Sequence, residues 1–418
     1  MVHYRKKLEK HKTAISIAQP VDKKKRIESL DILRGFAILG ILIMNIQSFS
    51  MPEAAYLNPM AYGDMTGINK WVWIFSHIFG DQKFMTIFSI LFGAGIVLFS
   101  ENAKKKGKSV ALHYRRTFWL LIIGLIHAHL IWHGDILVAY ALCASFVYFF
   151  RNVRPRTLLT IGIVLIAIHT ILYLFMGFTI PKWPPEAIEQ IKHSWIPYAE
   201  DIQFEIDSFT GSLGQQLHKR SSIALFMETA VFLLIFLWRA GGLMLIGMAF
   251  YKWGILSAKK SVRFYSKGFL ISWTIGLPIV IYGIVENYRH DWTVEYSMLI
   301  GSQFNYWGSL FVSFGFISLI MILVKSDGNR WIKNRLAAVG QMALTNYIMQ
   351  SIICVFLFYG IGLGLFGYVE RIWQTAIVLG IWLIQLMWSS PWLNKFHFGP
   401  FEWVWRSLTY LKIQPFRK

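Results

Sequence analysis

The sequence predicts an all-α, polytopic integral membrane helix bundle with about ten transmembrane helices and both termini in the cytoplasm. Composition is the first observation behind this. Of 418 residues, 55% are hydrophobic, 17% aromatic and 15% charged, with a positive mean hydropathy, which is too apolar for a water-soluble domain of this length. The second is a set of ten apolar runs long enough to span a bilayer core of about 30 Å. The third is charge placement. The net charge of +20 would suggest nucleic acid in a soluble protein, but with a cytoplasmic N-terminus most Lys and Arg fall on inner segments, including "KKKR" at 23 to 26, "KKKGK" at 104 to 108 and "RNVRPR" at 151 to 156. The charge therefore reads as topology, with attraction to anionic lipid headgroups, and nucleic acid is not an expected partner.

The expected elements follow in order. Residues 1–30 form a basic cytoplasmic segment without the apolar core of a cleavable signal peptide. Residues 31–180 form an N-terminal membrane half, with spans near 33 to 51, 83 to 100, 116 to 133, 135 to 150 and 157 to 179. The stretch 52 to 82 holds "NKWVWIFSHIFGDQ", whose aromatics suit a helix at the outer interface. Residues 181–222, with "PKWPPE", read as an extracytoplasmic cap. Residues 223–393 form the second half, with spans near 223 to 251, 268 to 286, 302 to 324, 337 to 360 and 373 to 392. Residues 394–418 form an amphipathic cytoplasmic tail, where Pro400 suits a helix start and Glu402 and Arg406 are spaced as an i,i+4 pair. Cys143 and Cys354 both fall inside spans, which argues against disulfides and CxxC-type metal sites.

The polar residues in these spans are the functional candidates. Asp31 and Arg34 stand at the mouth of the first span and Asn45 inside it; Arg34 and Asn45 are eleven residues apart, about three turns or roughly 16 Å, on one helix face. Arg116 to His127 and Arg335 to Asn346 repeat that spacing, with Gln350 one turn above Asn346. If these faces converge, Asn45, His127 and Asn346 form a polar layer near mid-membrane; chance spacing behind cytoplasmic basic residues is the alternative. Arg239 sits near the middle of the sixth span, where a lipid-facing guanidinium would cost at least about 2.5 kcal/mol, so it faces the interior as an anion ligand or as a structural group bonded to helix carbonyls. His127 is the candidate general base, with His133 and Asp135 of the "HGD" turn at the outer mouth; the alternative is a turn that caps two helices. No HExxH zinc spacing, phosphate-binding lysine loop, dinucleotide glycine fingerprint or GxSxG elbow is present, so metal chemistry has no motif and ATP hydrolysis is not expected.

Five stretches, "RIESLDILRGFAILGILIMNI", "KFMTIFSILFGAGI", "GLIHAHLIWHGDIL", "GQMALTNYIMQSII" and "GPFEWVWRSLTY", together resemble the YeiB-like bacterial membrane proteins, a family defined by a domain of unknown function. The resemblance covers nearly the whole chain after the basic N-terminus and implies a multi-pass bacterial plasma-membrane protein. The first stretch is also similar to the first helix of the heparan-alpha-glucosaminide acetyltransferases and acyltransferase-3 proteins. That similarity implies transfer of an acyl group from a donor such as acyl-coenzyme A to a sugar-like acceptor. Acyltransferase-3 proteins carry Arg and, eleven positions later, His; here the pair is Arg34 and Asn45, so His127, or His77, must supply the base.

Two functional classes follow, with a third behind them. In a transmembrane acyltransferase-like protein, Arg34 and Arg116 bind the donor's phosphates, Asn45 orients the reacting group and His127 is the base. In a transporter of a small anionic or lipidic solute, Arg239 with Asn45, His127 and Asn346 forms the binding site. A non-catalytic scaffold would use its tail to dock a partner. Expected partners are membrane lipids, an acyl-CoA donor, an envelope or lipid-linked acceptor and, as an open option, a second copy in a homodimer; no covalently bound cofactor or metal site is expected.

Overall fold

The computed structural model describes residues 26–418, built of helices with one isolated backbone bridge between Phe396 and Arg417. The basic segment expected over 1–30 lies largely outside the described residues. The main helices are α1 (Glu28–Ser50), α2 (Gly67–Phe79), α3 (Lys83–Lys105), α4 (Ala111–Ile126), α5 (Leu137–Val147), α6 (Pro155–Thr179), α7 (Pro185–Trp195) and α8 (Ala199–Thr210). They continue as α9 (Leu213–Phe226), α10 (Leu237–Lys252), α11 (Val262–Arg289), α12 (Ser302–Lys325), α13 (Arg330–Gln341), α14 (Ala343–Phe358), α15 (Arg371–Lys395) and α16 (Pro400–Tyr410).

Among the described residues, seven helices are long and apolar enough to cross a membrane, and α13 with α14 makes an eighth if that bent pair is one span. Three of the ten expected runs take a different form from a single long helix. The run 116 to 133 is α4 passing into a π-helical turn, His127–Ile131, that stops at Trp132. The run 135 to 150 is the short α5 followed by a 3₁₀ turn, Tyr148–Asn152. The run 337 to 360 breaks at Met342 with a bend of 80°. Such a bend orphans the first N–H groups of the second helix. Glu402 of α16 meets them: one carboxylate oxygen accepts from Leu344 N at 2.6 Å and Thr345 N at 3.1 Å, and the other from Thr345 Oγ1. Burial pushes the Glu402 carboxyl upward, and these hydrogen bonds oppose the shift.

The helix α1 lies at the centre, with Ile32, Leu33 and Ala37 fully enclosed. Its backbone touches α13 through glycine. A Cβ on Gly340 would lie 1.9 Å from the Asp31 carbonyl oxygen, and one on Gly35 the same distance from that of Leu336. Small residues allow this approach, as in other membrane helix pairs. The outer helices α6, α11 and α15 present Phe175, Phe178, Leu270, Ile271, Leu383 and Met387 outward. Apolar side chains facing out along helices whose backbone bonds are internally satisfied are what a lipid-facing surface requires. The expected cap over 181–222 is itself helical, comprising α7, α8 and the first part of α9. The helix α9 continues through a long π segment, Met227–Phe236, into α10.

Candidate functional site

One cavity of about 310 Å³ opens between α1, α3, α4, α14 and α16. That volume lies at the lower end of small-molecule pockets, which run about 300–1,000 Å³. Its lining divides into a basic part, with Arg26, Arg34, Arg116 and Arg406, and an apolar part that runs past Ile38, Leu91 and Leu120 to Tyr140 and Tyr347. Asp31 is shared by Arg26 at 2.6 Å and Arg34 at 2.9 Å, and Glu402 is committed to the start of α14. Arg116 and Arg406 have no carboxylate partner among the described residues. Arg116 packs over the rings of Phe99 and Trp405, and Arg406 over Phe398. Four guanidinium groups against two committed carboxylates leave a positive excess in a partly dry site, where an anion with several oxygens is favoured. The spacing of Glu402 and Arg406 suggested a surface pair; the structure instead has Glu402 capping α14.

The second arrangement lies just beyond Tyr347. His127, 1% exposed, is held on both ring nitrogens: Nδ1 is 2.9 Å from Asp135 Oδ1, and Nε2 is 2.9 Å from Ser351 Oγ. Asp135 is fixed in turn, because its other oxygen accepts from Val138 N at 2.8 Å at the start of α5. A carboxylate on Nδ1 assigns the proton to that nitrogen and leaves Nε2 as the acceptor for the Ser351 hydroxyl. The Tyr347 ring packs on the imidazole with centroids 5.0 Å apart, and its buried hydroxyl lies toward the Ile136 backbone. Tyr347 is thus the wall between cavity and imidazole.

The remaining candidates fall elsewhere. Asn45 is half-buried, lines neither the cavity nor the His127 pair, and makes no side-chain hydrogen bond among the described residues. Asn346 binds the Val339 carbonyl, Ser389 and Trp388, while Gln350 binds the Ile38 carbonyl and Gln385. Both tie α14 to α1, α13 and α15 rather than to His127. The expected layer of Asn45, His127 and Asn346 does not form, because α14 turns Tyr347 and Ser351 toward the imidazole instead. Arg335 reaches the Leu386 and Met387 carbonyls. His133 is buried against Phe209, with Nε2 3.6 Å from Glu53.

Arg239, 1% exposed, donates to the Tyr306 carbonyl, Ser309 Oγ and Thr86 Oγ1, and lies over the Tyr306 ring at 4.3 Å. It joins α10 to α3 and α12 and does not line the cavity. Residue spacing gives no sign of a buried set close by: Lys83 donates to the His77 carbonyl and to Asn305, which donates to Asp81. Ser351, Tyr347, Arg406 and Trp405 also escape sequence reasoning as site residues. The available signal for Ser351 is its place on the 344, 347, 351, 354 stripe of α14, where it is the small aliphatic hydroxyl beside Leu344, Tyr347 and Cys354.

An internal cavity with a cationic lining, set in a bundle of lipid-length helices and ending beside a buried His–Asp pair, defines a membrane protein with a candidate anion-binding and proton-transfer site. The chain belongs to the YeiB-like family. The description "Protein of unknown function (DUF418)" matches residues 250–412. The chain is 32% identical over 394 residues to "Uncharacterized protein YeiB" of Escherichia coli (strain K12), covering 91% of this chain and 95% of that protein. It is 33% identical over 423 residues to "Uncharacterized protein YxaH" of Bacillus subtilis (strain 168), covering 97% of this chain and 99% of that protein.

Proposed function

We propose that this protein is a transmembrane acyltransferase of the bacterial plasma membrane, with both termini cytoplasmic. It moves an acyl group from a cytoplasmic acyl-CoA-type donor to a hydroxyl of an envelope or lipid-linked acceptor. The observation that carries the reading is the single cavity linking the arginines to Tyr347, which packs on His127. Arg34 and Arg116 hold donor phosphates, with Arg26 and Arg406 beside them, while the apolar part accepts the pantetheine arm and acyl chain. Its volume suits that arm and not the whole nucleotide, which stays at the cavity mouth. His127 is the general base of the transfer, and Asp135 keeps its tautomer and stabilises the imidazolium that forms.

The test uses the full chain in detergent micelles with acetyl- and palmitoyl-coenzyme A. Arg34→Lys and Arg116→Lys keep charge and lose the planar fork, so donor affinity should fall about tenfold each while folding persists. His127→Gln should bind donor nearly normally and lose about 10²-fold or more in turnover. Undiminished turnover in His127→Gln would remove this reading. The topology has its own check: a reporter fused after Lys418 should read cytoplasmic, and cysteine labels between 186 and 207 should react from outside.

Transport of a small anionic solute is the second reading, and the 80° break between α13 and α14 favours it, because discontinuous helices often line transporter sites. Uptake of a coenzyme-free anion without chemical turnover would support it.

A further inference from the structure

We infer that Ser351 is the nucleophile of this site and carries the acyl group as an ester between two half-reactions; the inference rests on the acyl-transfer reading above. His127 as it stands cannot take a proton from an acceptor directly. Its Nδ1 is occupied by Asp135 and its Nε2 by Ser351, so the hydroxyl proton within its reach is that of Ser351. The three groups come from separate segments, with His127 on the π turn, Asp135 at the head of α5 and Ser351 224 residues from His127 on α14. Each is buried: His127 and Ser351 are 1% exposed and Asp135 7%. The Ser351 hydroxyl has one other acceptor in range, the Tyr347 carbonyl at 3.4 Å, and the shorter contact is to the imidazole. A serine, an imidazole and a carboxylate in this order activate the serine wherever the geometry recurs, irrespective of fold.

Access runs through Tyr347. Leu344 and Tyr347 line the cavity, and Ser351 is one turn further along the same stripe of α14. Rotation of the Tyr347 ring away from His127 opens the cavity to Ser351. Its hydroxyl, freed from the neighbouring Ile136 backbone by that rotation, then stands beside the reacting carbonyl as a donor for the developing oxyanion.

In the first half-reaction, Ser351 Oγ attacks the thioester carbonyl and its proton passes to His127 Nε2. The Oγ–C bond forms, the C–S bond breaks, and the thiolate leaves with that proton as the free thiol. In the second, an acceptor hydroxyl attacks the acyl-Ser351 carbonyl and gives its proton to His127. The acceptor O–C bond forms, the Ser351 O–C bond breaks, and Ser351 recovers the proton.

The full chain in detergent micelles is treated with a fluorophosphonate reagent, which labels activated serines without needing the natural donor. It is treated separately with radiolabelled acetyl-coenzyme A. Mass spectrometry should find the phosphonyl group on Ser351, with labelling slowed about 10²-fold or more in His127→Gln. Acid-quenched protein should carry the radiolabel as an ester stable to neutral hydroxylamine, and Ser351→Cys should carry it as a thioester that neutral hydroxylamine cleaves. Absence of label at Ser351 in both the folded wild type and Tyr347→Ala would overturn the inference. So would acyl transfer within about threefold of wild type in Ser351→Ala, a result that leaves the acyltransferase reading standing. Phosphonyl label on Ser351 with no consumption of any acyl-coenzyme A would sustain the nucleophile and remove the acyltransferase reading.

Discussion

Trp405 is joined to Arg116 twice: its indole N–H donates to the Arg116 carbonyl at 2.8 Å, and its ring lies under the Arg116 guanidinium at 4.6 Å. The C-terminal helix is therefore part of the cavity wall, and it orients one of the two arginines that have no carboxylate. Trp405→Phe should keep the ring contact and lose only the hydrogen bond. Trp405→Ala should release the guanidinium and weaken binding of acyl-coenzyme A by about five- to thirtyfold, from a stacking worth about 0.5–1 kcal/mol plus a hydrogen bond of similar size. Isothermal titration on the two variants checks this; equal affinity in both would mean that α16 only packs against α4.

Arg239 separates structure from ligand binding. Its guanidinium is spent on three neutral groups and lies outside the cavity lining. Arg239→Met should lower stability by about 1.5–3 kcal/mol through lost charge-assisted hydrogen bonds. It should leave donor affinity unchanged. A thermal melt and a binding isotherm on the same preparation decide; retained stability with lost affinity would make Arg239 a ligand after all.

Asp135→Asn probes the tautomer. An asparagine can still accept from Val138 N, so the start of α5 keeps its cap. Its amide would donate to Nδ1 and drive the proton onto Nε2, where it blocks acceptance from Ser351. Turnover should drop by about 10³- to 10⁴-fold with little change in the melting temperature. Phosphonyl labelling of Ser351 should fall in parallel.

Glu53 gives the pH dependence. It follows α1 with its side chain 45% exposed at the surface, its backbone N donates to Glu205 Oε1, and partial desolvation by the surrounding protein, followed by the charge of Glu205, pushes its carboxyl up to about 7 against the opposing pull of Lys219. A carboxyl that holds its proton more tightly when folded contributes stability that is full below its unfolded value of 4.5 and is lost as pH rises to about 7. The buried His133, pushed down to about 3 and 3.6 Å from Glu53, tilts the other way, so the difference between wild type and Glu53→Gln reports Glu53 together with its coupling to His133 and Glu205. The variant should match wild type near pH 4.5 and melt higher above pH 7. Parallel melting profiles from pH 4.5 to 8 would contradict the shift.

Part of the site is legible in residue spacing, because depth along a helix follows from counting residues. The eleven-residue step runs from Arg116, in the cavity lining, to His127, beyond Tyr347, since both sit on α4 and its continuation. The same step from Arg34 to Asn45 and from Arg335 to Asn346 leads nowhere. A helical period says which residues share a face, but not what that face meets. On α14, Asn346 and Gln350 are as eligible by spacing as Tyr347 and Ser351; the 80° bend at Met342 turns one pair toward α15 and the other toward the π turn.

The sequence by itself determined the class: apolar runs of bilayer length, basic residues at their ends and the cost of burying charge in lipid are local properties, and they leave a membrane helix bundle as the outcome. Tertiary structure alone decided the pairings. Ser351 meets His127, Glu402 caps the helix at Ala343 and Trp405 holds Arg116 across 224, 58 and 289 residues respectively. The physical reason is that buried polar groups must be satisfied by whatever partner packing brings within about 3 Å, and in these three cases the partner comes from a distant helix whose bend or docking no local pattern encodes.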